Sequence, residues 1–397
     1  MGIKTEKKSA LNDIKVVDLS RVLAGPYCTQ LLADHGAQVI KIEPPTGDDT
    51  RHWGPPFVEE ETSAYYHGLN RNKQHICVDL STLRGQRILA DMLEGADVVV
   101  ENFKAGTLAR WGLDDSTIKR LYPRLIHCRI TGFGVDGPLG GAPGYDAILQ
   151  AFSGLMSING EESGDPVRVG VPVVDMVTGI HAFSGVLLAL NERERSGLGQ
   201  RVECTLLDTA IGLLHPHSAN WLADGSEPTR SGSAHPSIAP YDVFTTSDGD
   251  MFVTVGNDRQ FLDFARAIDA PWLIENNEFS SNAGRVSNRQ ALKSEILKAT
   301  LELTNADLGR RLAEVGVPAT PVNSIGDALS HPQTKHRQMV LEKEKYVGIG
   351  FPVSLSRTPA SLRELPGALG RDTRRFLEQH GYSKPEIDGF YKDGVVR

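Results

Sequence analysis

The feature that most limits the fold is an alternation of apolar runs with two different periods. Ile14-Lys-Val-Val-Asp-Leu19 reads as a buried strand. A short loop, Ser20 to Gly25, leads to Pro26, which suits the first turn of a helix because its missing N–H costs nothing there. That helix is predicted to run to about Asp34 and stop at Gly36, and Val39–Ile42 reads as the next strand. A strand–helix–strand unit of about 30 residues is the usual size. The pattern recurs with strands at Ile76–Leu80, Val98–Val100, Leu125–Ile130, Val167–Val174 and Gln200–Thr205. Helices are predicted at Thr82–Glu94, Tyr145–Met156 and Met176–Glu192. Such alternation predicts an α/β fold with a mostly parallel sheet covered on both faces.

The texture changes near Asp224. Asp224-Gly-Ser-Glu-Pro228 reads as a linker, followed by a hairpin of Val243–Thr246 and Met251–Val255 and by helices near 261–267, 289–300 and 306–315. This predicts a large first part over 1–224, a smaller α+β domain over 225–330 and a loop-rich C-terminal segment over 331–397 with two late helices.

Charge and composition exclude some classes of function. Fifty Asp+Glu against 42 Lys+Arg give a net charge of −8, which disfavours a nucleic-acid partner. No apolar run is read as reaching the ~18–20 residues of a membrane span, so no membrane partner is expected. The four cysteines stand far apart, without a CxxC pair, and read as reduced thiols of a cytoplasmic protein. Met1–Glu6 lacks an apolar signal core. Twelve histidines show no metal-ligand spacing, so no metal is expected.

Two motifs mislead. Gly132-Phe-Gly-Val-Asp-Gly137 matches the dinucleotide fingerprint, but Pro138 and Gly140-Gly141 follow, so no helix opens there for a pyrophosphate. His75 and Asp79 lie on a predicted strand, where four residues span roughly 13 Å, too far for a dyad.

Asp175 is the most informative residue. It stands between an apolar strand and an apolar helix, where it serves either as a helix N-cap or as a carboxylate nucleophile beside helix amides. The loop Ser20–Pro26 and the segment Glu101-Asn102-Phe103 occupy strand ends where α/β sheets place ligands. Lys104, Arg110 and Asn70-Arg-Asn-Lys73 gather positive charge nearby, either for a polyanionic ligand or as a solvated face.

Taken in order, several segments resemble the class III CoA-transferases. They are Asp18–Pro26, Val39–Glu43, Asn70–Lys73, Val100–Phe103, Ile130–Gly134, Gly144–Asp146, Ser153–Met156 and Asp175–Gly179. The resemblance spans about Leu11 to Gly389. It implies a Rossmann-like large domain built from both chain ends, a small domain, and two chains interlocked as a homodimer. Asp175 matches the aspartate that forms an acyl anhydride and then an aspartyl-CoA thioester. Val22, Leu23 and Ala24 match a loop that packs on CoA, and Leu80, Asn102, Phe103, Lys104, Arg110 and Tyr145 match other CoA-contacting positions. No tightly bound cofactor is implied; coenzyme A esters are substrates.

Departures narrow the expectation. Pro44 stands where formyl-CoA transferases have Arg, and Gly232–Pro240 replaces their glycine run. Tyr145 stands where the racemase branch has His. Asp48–Arg51, Trp53–Phe57, Gly164–Arg168 and Ala234–Tyr241 are similar to the succinyl-CoA:glutarate CoA-transferase branch. The expected reaction is CoA transfer from an acyl-CoA, a dicarboxylic one such as succinyl-CoA being favoured, to a free carboxylic acid, with His235, Ser233 and Arg168 as candidate partners of a far carboxylate. An acyl-CoA isomerase or racemase and a non-catalytic acyl-CoA-binding protein are the competing readings.

Overall fold

The computed structural model describes residues 9–59 and 62–397. The Met1–Glu6 segment read above lies outside them. The described residues divide into two compact units, one of residues 9–59, 62–153, 169–213 and 337–397, the other of 154–168 and 214–336.

The first unit is built on six strands: β1 (Lys15–Asp18), β2 (Gln38–Glu43), β3 (Lys73–Cys77), β4 (Val98–Glu101), β5 (Ile126–Thr131) and β6 (Arg201–Thr205). They pair in the order β3-β2-β1-β4-β5-β6, every neighbour parallel. This is the doubly wound order, which reverses direction between β1 and β4 and opens a crevice at the carboxyl ends there. The valine runs of β1 and β4 are buried because helices cover both faces. Helix α1 (Ala24–Asp34) follows β1, and α2 (Leu83–Glu94) follows β3. Thr82 caps α2 by accepting from the Gly85 N–H, and Ile88, Leu89, Met92 and Leu93 form its buried stripe. Beyond β5 come α3 (Asp146–Phe152) and α4 (Val173–Ser196).

The sequence reading differs from the structure at four places. Val167–Val174 is not a strand. Pro172 lacks an N–H, and the segment bonds instead through the Val167 N–H to Asn159 O and the Val169 N–H to Gln150 Oε1. The third strand spans Lys73–Cys77 rather than Ile76–Leu80, because buried polar residues at its start hide it from an apolar scan. The helix expected over Tyr145–Met156 breaks at Gly154, whose φ is +93°. Finally, α4 is long and apolar enough to cross a membrane, with a mean hydropathy of 1.8 over 18 residues, contrary to the sequence expectation. Here it packs on α1, β5 and β6.

The C-terminal segment completes this unit. Helices α8 (Thr373–Gln379) and α9 (Lys384–Lys392) bury Phe376, Leu377 and Ile387 in the core beside α2. The second unit holds a three-stranded antiparallel sheet, with β8 (Asp250–Thr254) between β7 (Tyr241–Thr245) and β9 (Ala319–Pro321). Helices α5 (Asp258–Ala267), α6 (Arg289–Thr300) and α7 (Asn305–Glu314) bury Phe261, Phe264, Ile296, Leu308 and Leu312 in its core.

Candidate active site

A cavity of about 180 Å³ lies at the crevice between β1 and β4. Three loops that leave parallel strands line it: Arg21–Ala24 after β1, Asn102–Ala105 after β4, and Gly132 and Gly134 after β5. Residues 141–145, which include Tyr145, also line it, with Asp175 and Leu206. The expected residues Val22, Leu23, Ala24, Asn102, Phe103, Lys104, Tyr145 and Asp175 therefore share one cavity. Leu80 and Arg110 are not among its lining. Leu80 packs against the core, and Arg110 is exposed and donates to Thr107 Oγ1. Arg168, Ser233 and His235 belong to the second unit. There His235 Nδ1 accepts the Ser237 N–H, and its ring packs on Tyr241.

Asp175 is the third residue of α4, not the end of a strand. It does not cap that helix. Asp146 does, its Oδ2 accepting the N–H groups of Val174 at 2.8 Å and Asp175 at 3.0 Å. The other Asp146 oxygen accepts from Gln150, whose own Oε1 accepts the Val169 N–H. This chain secures the approach to α4, and among the described residues no hydrogen bond or ion pair engages the Asp175 carboxylate. Burial, and then the Asp146 charge, push the Asp175 pKa up to about 7. Tyr65 is close enough for burial and the charges of Asp175, Asp146 and Asp48 to raise its hydroxyl to about 12.

Gly179, one turn along α4, explains how Asp175 reaches the β1 loop. A Cβ there would lie 2.7 Å from the Ala24 carbonyl oxygen, so only glycine lets α4 run this close to α1. Helix α1 begins with no side-chain cap and no acidic residue in its first turn, leaving amides for an anionic acceptor beside the cavity.

The loops are braced across the crevice. Asn102 Oδ1 accepts the Arg21 N–H at 2.9 Å, and its amide group donates to Arg21 O at 2.8 Å. Its side chain therefore ties the β4 loop to the β1 loop. Phe103 packs edge-on against Trp111 and, with Lys104, Ala105 and Thr131, also lines an adjoining hollow of about 440 Å³. The glycine run after β5 is a turn with no helix behind it, as read from the sequence. It nevertheless belongs to the wall, because Gly132 and Gly144 cross so closely that a Cβ on Gly132 would meet Gly144 at 2.8 Å. His75 is buried in β3 with Nδ1 2.9 Å from the Tyr66 hydroxyl, so it forms no dyad with Asp79.

Asp146 and Tyr65 were not singled out from sequence. For Asp146 the signal was present in Gly144-Tyr-Asp146, where the acid precedes an apolar helix pattern. Tyr65 carried none.

The family described as CoA-transferase family III matches residues 11–373. A succinate–glutarate CoA-transferase of Agrobacterium fabrum is 40% identical, covering 94% of this chain and 96% of its own. A succinyl-CoA:glutarate CoA-transferase of Homo sapiens is 39% identical, covering 97% and 90%. A solved CAIB/BAIF family protein from Brucella suis superposes with a TM-score of 0.86 at 38% identity, over 94% of this chain and 100% of its own. With a family match that begins before β1 and ends at the start of α8, the chain belongs to CoA-transferase family III and is an enzyme that transfers coenzyme A.

Proposed function

We propose that the chain moves CoA from a dicarboxylic acyl-CoA, such as succinyl-CoA, to a free carboxylic acid through covalent intermediates on Asp175. The carrying observation is that Asp146 caps α4, which leaves Asp175 a partly buried carboxylate facing the switch-point cavity. The Asp175 carboxylate attacks the thioester carbonyl, and the C–S bond breaks to release CoA thiolate and leave a mixed anhydride. The thiolate then attacks the aspartyl carbonyl, giving an aspartyl-CoA thioester and the free donor acid. The acceptor carboxylate displaces the thiolate to form a second anhydride. Attack of the thiolate on the acceptor's carbonyl yields the new acyl-CoA and restores Asp175. Thioester exchange is nearly balanced, so positioning matters more than driving force.

The names of the relatives, which pair succinate with glutarate, support dicarboxylic acids. The loops of Val22–Ala24 and Asn102–Lys104, with Tyr145, are the proposed CoA contacts, and the adjoining hollow offers room for the remainder of a long ligand. Leu80 and Arg110 are proposed as contacts farther along it. Arg168, Ser233 and His235 stay proposed as donors to the second carboxylate. A cytoplasmic homodimer, interlocked, is part of this reading. Only the association of two chains draws support from exposed apolar side chains, Ile148 and Phe152 on α3 and Leu188 on α4.

The test mixes the protein with succinyl-, glutaryl-, formyl- and a branched acyl-CoA and a panel of free acids, and follows new CoA esters by mass spectrometry. New esters from the wild type, none from Asp175→Asn, and a CoA adduct on the peptide holding Asp175 are expected. Equal turnover by Asp175→Asn would end the covalent reading. Deuterium uptake at the α-carbon without exchange would indicate an isomerase. Light scattering tests the dimer.

A further inference from the structure

Lys41 on β2 is fully buried, and the reaction above makes no use of it. Its ammonium donates to Ser20 O at 2.9 Å and to Asp48 Oδ2 at 3.0 Å. Asp48 is buried too, and its two oxygens share the Val22 N–H at 3.3 Å each. The Thr50 N–H and hydroxyl also donate to Asp48 Oδ1. Burial alone would lower the Lys41 pKa, but Asp48, Asp18 and Glu43 carry it above its usual value, so the ammonium stays charged.

Val22 has a φ of +68°. That is left-handed backbone, which a β-branched residue adopts only when its surroundings enforce it. Three successive residues of the loop are held from outside. Lys41 takes Ser20 O, Asn102 takes both backbone groups of Arg21, and Asp48 takes the Val22 N–H. The strain lies in the cavity wall, immediately before the first amides of α1.

We propose that Lys41 and Asp48 form a positioning pair that holds Val22 in its left-handed conformation and so sets the wall of the cavity that Asp175 also lines. The pair acts through the loop and does not touch the substrate. This rests on the reading of the cavity as the transfer site.

Two measurements test it. Hydrogen exchange of the peptide over residues 20–24 depends on the clamp whatever the reaction is. Asp48→Asn is expected to speed it about tenfold or more while β1 keeps its wild-type rate; unchanged exchange overturns the proposal. Kinetics then use Val22→Gly, since glycine accepts this φ without strain. In the wild-type background Asp48→Asn is expected to lower kcat about 10²-fold, as for a misplaced reacting group. In the Val22→Gly background the same change is expected to cost about tenfold or less. Equal losses in both backgrounds would show a structural ion pair only and overturn the proposal. Lys41→Met serves in the same cycle if Asp48→Asn yields no folded protein. A wild type that transfers no CoA would defeat the proposed reaction, and the exchange experiment would still decide the clamp.

Discussion

A carboxylate in the first turn of a helix is ordinarily easy to ionise, because the helix N-terminus favours negative charge. Asp175 goes the other way. Burial disfavours its charge, and Asp146 already occupies the helix amides with a charge of its own, so the pKa rises to about 7. Attack on a thioester needs the ionised form, so transfer is expected to fall as pH drops through about 7, an acidic limb visible in kcat/KM. Asp146→Asn keeps an oxygen for the helix amides but removes the charge. It is therefore expected to move that limb to lower pH, and an unmoved limb would mean the charge is irrelevant. The same shift bears on stability. The folded state holds the Asp175 proton more tightly than the unfolded chain between about pH 4 and 7, so stability declines as pH rises across that window. Asp175→Asn should remove the decline and raise the melting temperature at pH 8. With the residue partly exposed, the gain is on the order of 1–2 kcal/mol.

At the level of elements, the site depends on α4 lying against α1, and Gly179 is where the approach is closest. Gly179→Val would drive a side chain into the Ala24 carbonyl, 2.7 Å from the Cβ position. It is expected to cost about 1–3 kcal/mol in thermal unfolding and to lower transfer more than it lowers stability, because the displaced element carries Asp175. Strands β1, β2 and β4 were legible in the sequence as short apolar runs, and β5 and β6 as apolar residues alternating with polar ones. Asp175 and the β1 loop were legible for the same reason: they interrupt such runs. Val167–Val174 misled because spaced valines imitate a strand, while the feature that decides the matter, Pro172 without an N–H, is a single residue. Strand β3 was framed late because Lys73 and His75 are buried as partners of Asp18 and Tyr66, and partners distant in sequence leave no local period. The left-handed Val22 is enforced by residues about 20 positions or more away and has no sequence signature at all.

Across the whole chain, the two ends meet on one sheet, and this decides what happens to its open edge. β3 is a terminal strand whose outward amides would template another chain if left bare. The C-terminal segment covers them. The His75 N–H donates to Asp372 Oδ2 and the Cys77 N–H to Thr373 Oγ1, while the Asp372 N–H donates back to His75 O. Burial would raise the Asp372 pKa, but Arg371 and the His75 amide outweigh it and hold the carboxyl below its usual value. Glu43 behaves alike, with burial opposed by the two hydrogen bonds from Arg51 and by the charges of Lys41 and Arg51, and sits well below the usual range. A depressed carboxylate contributes stability that is complete above its unfolded pKa, near 4, and is lost as pH falls through the folded value. Acid unfolding is therefore expected below about pH 4, where these two acids gain protons. Asp372→Ala should lower the neutral-pH plateau by about 1–3 kcal/mol, since it strands a buried amide, and should make the fall in acid shallower. It touches no residue of the cavity lining, so the kinetic limb near pH 7 should stay in place. Melting temperature and kcat/KM followed over the same pH series separate the two effects. A kinetic limb that moved with Asp372→Ala would mean that the sealed edge also governs Asp175.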